Sequence, residues 1–180
     1  TLLASLQGAP QKEKTETLLK AIETERYSEQ GTVELYQALT DAVPSDPRPP
    51  SAYAAYLVDH GNYPGALEVV EKSLAIRNDV PGMHFLKGRI LIKLKALDRA
   101  DGAMVKAVAL NGKSTDYLNG LGFVNSLRGN HERALAAYRL ALQSDPESGY
   151  AYYNIGVTMF NLGDMEAAAD AFYGAGLAYL

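Results

Sequence analysis

From residue 47 onward, small residues return at a fixed interval of 34, and a period of that length constrains a fold more than any single motif does. In frames starting at Pro47, Pro81, Thr115 and Gly149, the eighth residue is Ala54, Gly88, Gly122 and Gly156. The twentieth is Ala66, Ala100, Ala134 and Ala168, and the twenty-seventh is Ser73, Ala107, Ala141 and Ala175. Bulky residues stand at the twenty-fourth: Val70, Met104, Tyr138 and Phe172. The spacing predicts two antiparallel helices per frame, closely packed where the eighth and twentieth residues carry almost no side chain, with bulky neighbours filling the gap.

Local signals agree with that division. Gly61, Gly129 and Gly163 follow the first helix of their frames and supply a left-handed stop. Asn62, Asn130 and Asp164 come next and are good N-caps for the second helix. Pro64 falls in a first turn, where its missing N–H does no harm. Asp145 and Pro146 separate the third frame from the fourth. Lys87, Lys95 and Gly112 depart from the pattern, so local distortion is expected in the second frame.

The segments Leu118-Asn-Gly-Leu-Gly122 and Tyr153-Asn-Ile-Gly156, each followed by Gly-Asn or Gly-Asp and an Ala-rich helix, make the pattern resemble the tetratricopeptide-repeat (TPR) family. The resemblance implies an all-α superhelical solenoid of antiparallel helix pairs, with four tandem repeats at 47–80, 81–114, 115–148 and 149–180. Residues 1–46 are expected to form a helical cap. They are read either as a degenerate repeat, with Tyr36 and Pro44 at the offsets of Tyr138 and Pro146, or as an unrelated hairpin of roughly 15–26 and 29–42. Four prolines between Val43 and Pro50 predict an extended segment and a hinge. The short Asn-Gly repeats also look like those of bacterial envelope assembly proteins, including the TPR proteins of Flp (tight adherence) pili.

Chemistry has little to stand on. Cysteine is absent and histidines number three, so disulfide scaffolds and thiolate metal sites are excluded. His131-Glu132 lacks a second histidine at zincin spacing and is expected to be a solvated first turn. His60 is expected at a helix C-terminus and His84 in packing. No nucleophile elbow, phosphate loop or dinucleotide fingerprint occurs. Neither catalysis nor a cofactor or metal is expected.

No apolar run approaches the roughly 20 residues a membrane-spanning helix needs, so the sequence reads as soluble, with nothing to choose between cytoplasm and periplasm. A start at Thr1 points to a trimmed or processed chain. Residues 1–46 hold four basic and eight acidic side chains, and the remainder balances, so nucleic-acid binding is not expected. Within the repeats, 81–114 holds seven basic residues against Asp98 and Asp101, whereas 149–180 has Asp164, Glu166 and Asp170 with no base.

In the TPR family the first helices line a concave groove with offsets two, five, six, nine, twelve and thirteen. Carried onto this sequence, those offsets give Arg48, Ser51, Ala55 and Asp59 in the first frame. They then give Phe85, Arg89, Ile92 and Lys93, followed by Asn119, Phe123 and Ser126, and finally Tyr150, Tyr153, Asn154, Val157 and Phe160. The resemblance thus implies a groove for a protein or peptide partner carrying acidic and apolar groups, with Phe85, Arg89, Lys93, Asn119, Phe123, Tyr150, Tyr153, Asn154 and Val157 at the site. Packing of the aromatics among themselves and simple solvation of the lysines are the competing readings. The carboxylate clamp of chaperone-binding TPRs is not matched: only Asn154 agrees, and Ser51, Ala55, Leu86 and Gly120 stand at the other offsets. The alternatives to an adaptor are a self-associating structural module, through a last helix bearing Phe172, Leu177, Tyr179 and Leu180, and the regulatory region of a larger enzyme.

Overall fold

Turn and cap chemistry sets the element boundaries. A computed structural model describes residues 8–24, 29–43 and 46–178; Pro44, Tyr179 and Leu180 lie outside it. Among the described residues are ten helices and no strands: α1 (Gln11–Thr24), α2 (Glu29–Ala42), α3 (Arg48–Asp59), α4 (Tyr63–Ile76), α5 (Pro81–Lys93), α6 (Leu97–Leu110), α7 (Thr115–Leu127), α8 (His131–Ser144), α9 (Gly149–Leu162) and α10 (Met165–Leu177). Asn62 caps α4 by accepting from the Gly65 N–H at 3.0 Å, and Asp164 caps α10 by accepting from Ala167 at 3.0 Å. Ser114 and Ser148 cap α7 and α9 likewise. Asn130 holds the cap position of α8 without capping; its Nδ2 instead leans toward Asn125 Oδ1 at 3.5 Å.

The second repeat is not distorted. Lys95 takes up the left-handed conformation itself, at φ 59°, beside φ values of 74°, 75° and 82° for Gly61, Gly129 and Gly163. A side chain in that region costs about 1–2 kcal/mol. Nor is the proline stretch extended throughout: Pro49 and Pro50 lie buried in the first turn of α3, where proline is compatible with a helix. The chain forms two compact units, Thr1–Asp79 and Val80–Leu180.

In the first unit, Leu18, Leu35, Leu39 and Val43 form a core flanked by Leu19 and Ile22. Tyr36 of α2 stacks on Tyr53 of α3 with centroids 5.4 Å apart, and Gln37 donates to the Tyr53 hydroxyl. His60 meets the end of α3, its Nδ1 lying 2.8 Å from the Tyr56 carbonyl oxygen.

The second unit stacks three helix pairs, α5/α6, α7/α8 and α9/α10. Each pair is closed by a small residue that receives a bulky one. A Cβ placed on Gly88 would sit 2.7 Å from Met104 Cε, one on Gly122 2.6 Å from Tyr138 Cδ1, and one on Gly156 2.6 Å from Phe172 Cε1. The eighth residue is therefore small because the twenty-fourth of the same repeat lies across it, a more direct arrangement than a gap filled from the sides. Leu118, Ala141 and Ala151 join consecutive pairs, with Val108 and Leu142 packed against them.

Candidate functional site

Successive first helices of the second unit run alongside one another in the same sense. Phe85, early in α5, meets Tyr117, early in α7, at 5.0 Å between centroids, and its ring lies over Gly120. That contact makes Phe85 a spacer between α5 and α7. Arg89, one turn on, is exposed, with its guanidinium carbon 5.9 Å from the Phe85 ring centroid, within the range of cation–π attraction. Lys93 is exposed one further turn along the same helix.

Aromatic and amide groups follow on α7 and α9. Phe123 and Val157 are half-buried, and Tyr150 and Tyr153 are 52% and 53% exposed although they are large aromatics. Tyr153 leans on Phe172 of α10 at 5.8 Å, so one face of its ring is fixed by packing. Asn119 and Asn154 are nearly fully buried, and each keeps one polar atom without a partner: Oδ1 of Asn119 and Nδ2 of Asn154. An acceptor on α7 and a donor on α9 thus stand unpaired on helices that pack in consecutive repeats. Burial without a partner costs about 1–3 kcal/mol for such a group.

The first-frame groove residues belong to the other unit and are partly engaged: Arg48 pairs with Asp46 at 2.6 Å, and the Ser51 hydroxyl donates to the Pro47 carbonyl. Asp46 is consequently held below the usual carboxylate range, its side-chain hydrogen bond with Arg48 being the largest cause.

Sequence reasoning missed the polar lattice behind the site. Arg128, at the end of α7, reaches back to α6, with Nη2 2.8 Å from Asp98 Oδ1 and Nη1 3.0 Å from Asp101 Oδ2. Asn125 donates to Asp101 at 2.8 Å. The signal was present as an arginine in one repeat and two aspartates in the preceding one, but a charge tally hides such pairing. His131 was expected to be solvated; its Nδ1 is buried and finds no partner among the described residues. A separate open cleft of about 460 Å³ is lined by Gly112, Lys113, Leu140, Gln143 and Ser144, and Lys113 is its one charged lining residue. Among the described residues, no three metal-ligating side chains gather, and no helix is long and apolar enough to cross a membrane.

Stacked helix pairs with a lining of this kind define a repeat scaffold suited to protein–protein interaction. The TPR repeat model matches residues 127–163 and the tetratricopeptide repeat model residues 149–179, which supports the TPR family. Among solved structures, MamA (residues 41 to the end) from Desulfovibrio magneticus RS-1 is similar with a TM-score of 0.82 at 20% identity, covering 96% of both chains. A second MamA crystal structure gives 0.75 at 23% identity, covering 83% of this chain and 88% of that one. YrrB, described as a TPR protein with an unusual peptide-binding site, gives 0.77 at 21% identity, covering 99% and 92%. Likeness at these identities establishes the shared fold, an all-α TPR solenoid, which is typically a non-catalytic scaffold. No curated protein matches the sequence, and the comparisons bring no support for the pilus link.

Proposed function

We propose that the chain is a non-catalytic adaptor that binds an extended partner segment along the first helices of its second unit. The observation that carries this is the set of exposed side chains along those helices: Arg89 and Lys93 on α5, and Tyr150 and Tyr153 on α9, which stay about half exposed although they are large aromatics. Arg89 and Lys93 supply positive charge for an acidic residue, while Phe123, Tyr150, Tyr153 and Val157 supply apolar surface. Phe85 acts through Arg89, whose guanidinium it holds over its ring. YrrB, a fold neighbour with a peptide-binding site, fits the same reading. A place in bacterial envelope or pilus assembly rests only on the resemblance of the Asn-Gly segments.

Selection from a random-peptide display library, followed by calorimetry with a selected peptide, tests the site. Arg89→Glu is expected to weaken binding at least tenfold, an effect of about 1.4 kcal/mol, and the loss should shrink as salt rises. Phe123→Ala and Tyr150→Ala should weaken binding with little salt dependence. Peptides that bind all three variants as tightly as the wild type would move the site off this face.

A further inference from the structure

The turns joining first to second helices in the second unit share one edge. Arg128, in the α7–α8 turn, reaches Asp98 just after the α5–α6 turn, and the α9–α10 turn follows one repeat later. Each turn exposes apolar side chains: Leu94 at the first, Leu127 (47% exposed) at the second, and Phe160, Leu162 (52%) and Met165 (57%) at the third. Scattered exposed leucines are ordinary on a protein surface, but one set per turn along a single edge forms a row. Charge is graded along it. Lys95 marks the first turn, the Arg128 guanidinium of the middle turn is engaged by Asp98 and Asp101, and Asp164 and Glu166 mark the third.

We infer that this edge docks a second copy of the chain antiparallel, about a two-fold axis through the α7–α8 turn. That operation sets the lysine turn of each copy against the acidic turn of the other and brings Leu127 against its own counterpart. Contacts of this self-complementary kind are what a two-fold dimer requires. The parallel arrangement would oppose lysine to lysine and acid to acid, so charge selects the sense as well as the partner. The edge lies at the helix ends rather than along the first-helix face that receives the peptide, and the inference stands apart from the adaptor reading. Three turns spaced by helix-packing distances of roughly 10 Å give a small interface, so the dimer is expected to dissociate at concentrations on the order of micromolar and to weaken with salt.

Sedimentation equilibrium of the full chain at low and high salt tests this, with melts by circular dichroism confirming that each variant folds. Wild type should show a monomer–dimer equilibrium that shifts to monomer in high salt. Leu127→Glu should abolish the dimer, and Lys95→Glu and Glu166→Lys should each weaken it at least about tenfold. An equimolar mixture of the last two should restore association, because each reversed turn then faces one reversed to match. Three results would overturn the inference: a wild-type monomer at all concentrations in low salt, a dimer indifferent to Leu127→Glu, or a mixture that associates no better than its components.

Discussion

Gly122 shows how a single residue type is dictated by its neighbour. The Tyr138 ring, 1% exposed, lies where a Cβ on Gly122 would project. Tyr138 is a large, well-packed side chain with no free volume beside it, so Gly122→Val forces ring and helix apart. Overpacking of this kind costs about 1–3 kcal/mol, and the thermal midpoint followed by circular dichroism should fall accordingly. Burial, with a smaller effect from Tyr150, pushes the Tyr138 phenol well above its ordinary value of about 10. A raised folded-state value means the unfolded chain releases its proton first. The stabilisation is therefore present below about pH 10 and is lost as pH rises beyond it. In melts from pH 9 upward, Tyr138→Phe should show a shallower alkaline decline than the wild type. The small partners of this packing were legible in the sequence because they recur every 34 residues. The direct opposition of eighth and twenty-fourth residues was not, since periodicity gives spacing and not the direction of a side chain.

Between elements, α6 and α7 are tied by charge as well as by apolar packing. Arg128 bridges Asp98, whose side chain is 91% exposed, and Asp101, whose side chain is 20% exposed. Solvent screens the first pair, so Asp98→Ala should change stability by no more than about 1 kcal/mol. Asp101 is the shielded partner and also accepts from Asn125, so Asp101→Ala removes a shielded ion pair and that hydrogen bond together, at a cost of about 1–3 kcal/mol. Urea denaturation of the two variants should rank them in that order, and equal losses would argue that the lattice carries no energy of its own. The turn glycines and caps were readable in advance, because their conformational needs are local. Lys95 was misread as a site of distortion, since a sequence shows a missing glycine without showing that a lysine will accept the same φ. The Arg128 lattice was invisible for a related reason: its members lie 27 and 30 positions apart, and only the packing of consecutive repeats brings them together.

At the scale of the whole molecule, every residue of the proposed peptide site lies in the unit Val80–Leu180. The residues expected at the peptide site, from Phe85 to Val157, lie on α5, α7 and α9 of that unit. What the sequence could not convey is that Asn119 and Asn154 would be buried with one polar atom each unpaired, because that depends on the neighbours that exclude solvent. Leu91, Met104, Leu118, Val124, Tyr138 and Ala151 give this unit a core of its own, and roughly 100 residues is an ordinary size for independent folding. The fragment Val80–Leu180 is therefore expected to unfold in one cooperative transition with helical circular dichroism. It should bind a peptide selected against the full chain with an affinity within about threefold. The argument requires both outcomes together, since a folded fragment that loses binding would assign part of the site to residues before Val80. A fragment without a cooperative transition would show that the second unit depends on the first for its stability. Calorimetry on the fragment and the full chain, at the same salt concentration, decides between these cases.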